Sequence, residues 1–70
     1  MTKAERIKQC NDNAATAIAE AVDLLEGAAS ALRDGADADD VAEEVAKALL
    51  HLGEARGWRN AVSDLREKSL

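Results

Sequence analysis

The chain has 70 residues, a formal net charge of −5 and 47% hydrophobic residues. It contains one cysteine and no proline, phenylalanine or tyrosine. A single cysteine excludes an intramolecular disulfide, and a composition rich in alanine but poor in aromatic residues favours helices over strands. We therefore expect one all-α domain over residues 1–70.

The longest predicted element is a helix over about residues 2–34. Thr2 and Glu5 have the spacing of an N-terminal capping box, and Gly35 is suited to the left-handed conformation that closes a helix. Between these ends the apolar residues form one continuous face, about 160° wide. Gly27 is the least favourable residue within this helix, since a glycine inside a helix costs about 1 kcal/mol relative to alanine.

Two heptad rows on this face are mostly alanine and allow another helix to approach closely. We expect these rows to form a homodimer interface, with the residues Ile7, Cys10, Ala14, Ala17, Ala21, Leu24 and Ala28. A bulkier flank lies beside them. We expect this flank to pack against the rest of the chain, through residues that include Ile18, Val22, Leu25 and Leu32.

A second helix is predicted over about residues 38–52, with Asp37 as its N-cap. Its first turns are acidic, with the residues Asp37, Asp39, Asp40, Glu43 and Glu44. These charges suit the positive end of the helix dipole, and they also form a candidate docking surface for a partner with a basic surface. A calcium loop starting at Asp37 is excluded, because Ala42 and Ala48 stand where that loop needs glycine and glutamate. Leu50 points away from the apolar face of this helix, as a single exposed leucine or as part of a second contact surface.

A short third helix is predicted over about residues 57–68, after a hinge at Gly53 and Gly57. Trp58 begins its apolar stripe. It is either a core residue or an exposed anchor for a partner, and tryptophan and arginine are enriched in binding hot spots. In the second case Arg56 and Arg59 join Trp58 in the docking surface.

No pattern of catalytic, cofactor-binding or metal-binding residues is apparent. Cys10 and His51 are the only residues of their types, and a nucleophilic pair needs an orienting acid and an oxyanion site as well. Cys10 lies on the apolar face, where a free cysteine behaves as a small hydrophobe. We expect no enzymatic activity, no cofactor and no metal.

The size of the chain favours association. Sixteen alanines outnumber the eight leucines, four valines and two isoleucines, and a chain of this length has a marginal core without a staple or a partner. We therefore expect a helical bundle completed by homodimerisation. No signal peptide or membrane-length apolar run is present, so we expect a cytoplasmic protein with no membrane partner.

Two functions follow from these features. The first is a small acidic protein-binding module of a phage or plasmid type, acting as an adaptor, regulator or inhibitor through a helical surface. The alternative is a dimeric nucleic-acid-binding protein that uses the basic C-terminal helix in a helix-turn-helix outline. The acidic net charge makes nucleic acid the less favoured partner.

Overall fold

The computed structural model of the chain describes residues 1–68. Two long helices, α1 (Lys3–Arg33) and α2 (Ala42–Glu67), are joined by a short connection that contains one 3₁₀ turn, Ala38–Val41. No strand occurs within residues 1–68, so the all-α class is confirmed. The two helices form an antiparallel hairpin whose Cα trace measures 54 × 14 × 13 Å.

The beginning of α1 is set by the predicted capping box. The Glu5 N–H donates to Thr2 Oγ1 at 3.1 Å, and the Thr2 N–H donates to Glu5 Oε1 at 3.4 Å. Two backbone donors that have no partner within the helix are thereby satisfied. From this cap α1 runs without interruption through Gly27.

The end of α1 is set by Gly35, as expected. Gly35 has a φ of +108°, its N–H donates to the Leu32 carbonyl at 3.2 Å, and the Ala36 N–H donates to the Ala31 carbonyl at 3.0 Å. This is the Schellman arrangement that closes helices at a left-handed residue. Asp37 follows, and its N–H donates to Asp40 Oδ2 at 3.0 Å. The chain is thus reversed within a few residues.

The seam between the helices consists mainly of alanine, with five alanines and two valines buried. Seven hydrophobic residues are buried, namely Ala17, Ala21, Ala28, Val41, Ala48, Ala55 and Val62. On α2 they follow one another at heptad spacing, the period that keeps one face of a helix against its neighbour. Since methyl groups fill the seam, the two backbones can approach closely.

The separate third helix and the hinge before it were wrong predictions. Helix α2 continues from residue 42 to residue 67 through both Gly53 and Gly57, and neither glycine has a positive φ. The buried row explains this result, because Ala55 and Val62 reach the seam only if the helix continues. Tertiary packing of this kind commonly outweighs the roughly 1 kcal/mol that each glycine costs.

The continuous α2 predicts opposite effects for two glycine substitutions. A β-carbon at position 57 meets nothing within 4 Å, so Gly57→Ala should raise the free energy of unfolding by about 0.5–1 kcal/mol. Gly35→Ala should lower it by about 1 kcal/mol or more, because φ at Gly35 is +108°. Urea unfolding followed by circular dichroism measures both, and destabilisation by Gly57→Ala would contradict an unbroken helix.

The alanine seam predicts that added volume is not tolerated there. Ala21→Leu should destabilise the hairpin by about 1–3 kcal/mol, since Ala21 is buried and overpacking forces the helices apart. Ala19→Leu is the matched control, because Ala19 is exposed two residues earlier on the same helix. Thermal unfolding of the two variants side by side makes the comparison, and equal melting temperatures would show that α2 does not pack on this row.

Candidate interaction surface

The predicted acidic surface lies at the closed end of the hairpin. Four of its residues, Asp37, Asp39, Asp40 and Glu43, are exposed, whereas Glu44 is half-buried. The Asp40 carboxylate caps the Asp37 N–H, and Glu43 Oε1 lies 3.2 Å from Lys47 Nζ. Part of this acidic charge therefore serves local helix structure, and the rest is presented to solvent.

The predicted Trp58 surface is separate from the acidic one. Trp58 is 37% exposed, between Arg56 and Arg59, which are both exposed. It follows Glu44 by two heptads on α2, which is about 21 Å along the axis. Leu50 is 70% exposed on the outer side of the helix. The structure therefore does not bring these candidate residues into one patch.

The unbroken α2 also removes the expected helix-turn-helix outline. That outline, over residues 37–68, required a turn between two helices, whereas Arg56 and Arg59 lie inside the continuous helix α2. A recognition helix needs a supporting helix that crosses the nucleic-acid backbone. The hairpin has no such pair.

The predicted dimer interface lies along the seam of a single chain. Of its residues, Ala17, Ala21 and Ala28 are buried, and the other four, Ile7, Cys10, Ala14 and Leu24, are half-buried. Helix α2 of the same chain provides this cover. A second copy therefore has no open access to the alanine row, and a dimer has to use another face.

The bulkier flank of α1 is exposed, although we expected it to be covered by the chain. It joins with apolar residues of α2 in a surface we call the apolar strip, made of Ile18, Val22, Leu25, Leu32, Val45, Leu49 and Leu52. Each of these side chains is between 37 and 63% exposed. Contiguous exposed apolar surface on a folded chain commonly marks an interaction site.

Heptad positions place both halves of the strip on the same side of the hairpin. Leu25 follows the buried Ala21 by four residues, and Leu52 likewise follows Ala48. In an antiparallel pair these equivalent flanking positions face each other across the seam. The opposite flank is polar, since Glu20 from α1 meets His51 of α2 there.

A shallow depression runs along the α1 side of the strip. Its volume is about 590 Å³, and Val22, Leu25 and Ala29 form its floor, with Glu26, Ser30 and Arg33 at the edge. Apolar floors with polar edges are typical of surfaces that receive a side chain of a partner protein. This depression lies beside the strip from Val22 to Arg33, the end of α1 at the closed end of the hairpin.

The polar flank contains one contact between the helices that the sequence did not reveal. His51 Nδ1 lies 3.0 Å from Glu20 Oε2 and 3.4 Å from Glu54 Oε1, and the side chain is 28% exposed. Neither contact has hydrogen-bond geometry, so the attraction is electrostatic and requires a protonated imidazole. Cys10 precedes Glu20 by about 15 Å along α1, so it is not a partner of His51.

Comparisons with known proteins assign no family or function to this chain. The sequence matches no protein-family model, and searches of curated proteins and of solved structures give no significant match. Within residues 1–68, no three His, Cys, Asp or Glu side chains group as a metal site. No helix of that same segment is both long and apolar enough to cross a bilayer.

The His51 contact predicts a modest coupling between the helices. His51 Nδ1 lies 3.0 Å from Glu20 Oε2, so a double-mutant cycle of Glu20→Ala and His51→Ala should give about 0.2–1 kcal/mol of favourable coupling between the helices. Chemical denaturation of the four proteins measures it. Glu26→Ala, at an exposed position, replaces Glu20→Ala in the control cycle. A coupling no larger than that of the control cycle would contradict an attraction between Glu20 and His51.

Proposed function

We propose that the chain is a small, acidic, non-enzymatic protein-binding module that acts in the cytoplasm as an adaptor, regulator or inhibitor. The observation that carries the proposal is the apolar strip. The hairpin leaves exposed the larger aliphatic side chains, including Leu25, Leu49 and Leu52, while it buries alanine. This distribution suits a surface that is covered by another protein.

The geometry of the strip favours a helical partner surface. Ile18, Val22, Leu25 and Leu32 follow one another at intervals of four, three and seven residues, so they project from one side of α1 over about 20 Å. Interfaces between helices are built from such rows, in which each anchor enters a gap between side chains of the partner. The strip therefore supplies anchors for a helix or a helical groove.

In this proposal the charged residues on either side of the strip orient the partner. The closed end presents Asp37 and Asp39, and Arg56 and Arg59 lie farther along α2. Charged groups at the edge of an apolar contact guide encounter and select a partner of complementary pattern more than they add affinity. The acidic residues that were first predicted as the docking site thus guide the partner toward the strip, and burial of the strip supplies the free energy of binding.

The proposal is tested by capture with matched variants. Tagged wild type and Leu25→Glu are incubated with lysate of the source cell, of which one half is treated with nuclease and the other is not. A charge in the centre of the strip should weaken partner binding at least 30-fold, or about 2 kcal/mol. Ala19→Glu is the control, because it introduces the same charge at an exposed position outside the strip. Quantitative mass spectrometry compares the stoichiometric proteins recovered.

The proposal requires a protein recovered by wild type and by Ala19→Glu but not by Leu25→Glu. Equal recovery with all three baits would remove the strip from the binding site. Nucleic acid recovered with the bait, together with proteins that are lost after nuclease treatment or at a few hundred millimolar salt, would instead support the nucleic-acid alternative.

A further inference from the structure

The hairpin exposes more surface than a compact chain of its mass. A compact monomer of 7.4 kDa is expected to expose about 4,200 Å², whereas this chain exposes 5194 Å². Its radius of gyration is 16.0 Å, against about 11 Å for a compact fold of this length. The excess of roughly 1,000 Å² is close to the 800 Å² or so that each partner buries in a stable interface.

We propose that a second copy of this chain covers the apolar strip, so that two hairpins form an antiparallel four-helix bundle about a two-fold axis. This inference rests on the proposed function, because it names the partner of the same strip. A two-fold interface places the same surface of both copies in contact. The strip meets that requirement, since an aliphatic surface is complementary to itself.

The distribution of charge along the hairpin favours the antiparallel arrangement. Asp39 lies in the 3₁₀ turn at the closed end, and Arg59 lies ten residues beyond Leu49 on α2, about 15 Å along the axis. A two-fold axis perpendicular to the helices near Leu49 brings the acidic closed end of one copy toward Arg59 of the other. A two-fold axis parallel to the helices would instead bring the two acidic closed ends together, where they repel.

The bundle also supplies the layer of larger side chains that one chain lacks. Within the hairpin no large side chain is fully buried, and the seam holds five alanines and two valines. Stacking two strips would bury leucine, isoleucine and valine from both copies between the hairpins. The flank with His51 and the outward-facing Leu50 remain outside this contact, so they stay accessible to a further protein.

The first test is the mass of the purified full chain in solution. Sedimentation equilibrium from 1 to 200 µM should give twice the mass of one chain, and Leu25→Glu should weaken association at least 30-fold, while Ala19→Glu should retain it. The melting temperature of wild type should rise with concentration, because association stabilises the folded chain.

A charge exchange tests the arrangement without changing the strip. At low salt, Asp39→Arg alone and Arg59→Asp alone should each weaken self-association about three- to ten-fold, since each removes two symmetric attractions. The chain that carries both changes should return to within about twofold of wild type. Neither position is buried, so these variants keep the fold.

The mass in solution and the capture of other proteins together distinguish a second copy from another partner. A monomer at 200 µM that still captures a protein through Leu25 would overturn the second copy and preserve the proposed function. A monomer with no strip-dependent binding would overturn both. A dimer that Leu25→Glu leaves intact would show a different interface, and failure of the double exchange to restore association would overturn the antiparallel arrangement.

Discussion

The close packing of α1 on α2 through alanine is the constraint on which the rest of the structure depends. Ala21 and Ala48 are almost completely buried, and a methyl group at such positions leaves no room for a larger neighbour. Most of the larger aliphatic side chains, such as Leu25, Val45 and Leu52, consequently lie beside the seam. The same packing that joins the two helices therefore creates the exposed strip, so the stability of the hairpin and the exposure of its larger side chains have one physical origin.

The closed end of the hairpin converts this packing into a defined arrangement. The Schellman closure at Gly35 and the Asp40 cap on Asp37 reverse the chain over a short connection. Because that connection is short, it determines which residues of α2 lie beside each residue of α1. It also concentrates acidic residues at one end, while Arg56 and Arg59 lie about two and three turns beyond Leu49 on α2. The strip therefore has acidic residues toward one end and basic residues toward the other.

Local signals in the sequence predicted the ends of α1, the stop at Gly35 and the alanine rows, because caps and heptad spacing act within a few residues. The alanine rows were predicted to be open to a second chain and the bulkier flank to be covered by the rest of the chain, whereas the seam is covered by α2 and the flank is exposed. One continuous apolar face contains both, and periodicity does not say which row a helix of the same chain selects. The hinge at Gly53 and Gly57 was wrong because propensity was weighed without the packing of Ala55 and Val62. The contact of His51 with Glu20 depends on register between helices, which no local pattern encodes.

The repetition of the seam has a consequence for connectivity. Ala14, Ala21 and Ala28 on α1 recur at the same spacing as Ala48 and Ala55 on α2, so sliding one helix past the other by a heptad, about 10 Å, again places alanine against alanine. The methyl rows alone thus permit several nearly equivalent alignments. The peptide connection through Gly35 and Asp37 makes one of them unique. Cleavage of the chain there would leave two helices that still attract each other but no longer share a single register.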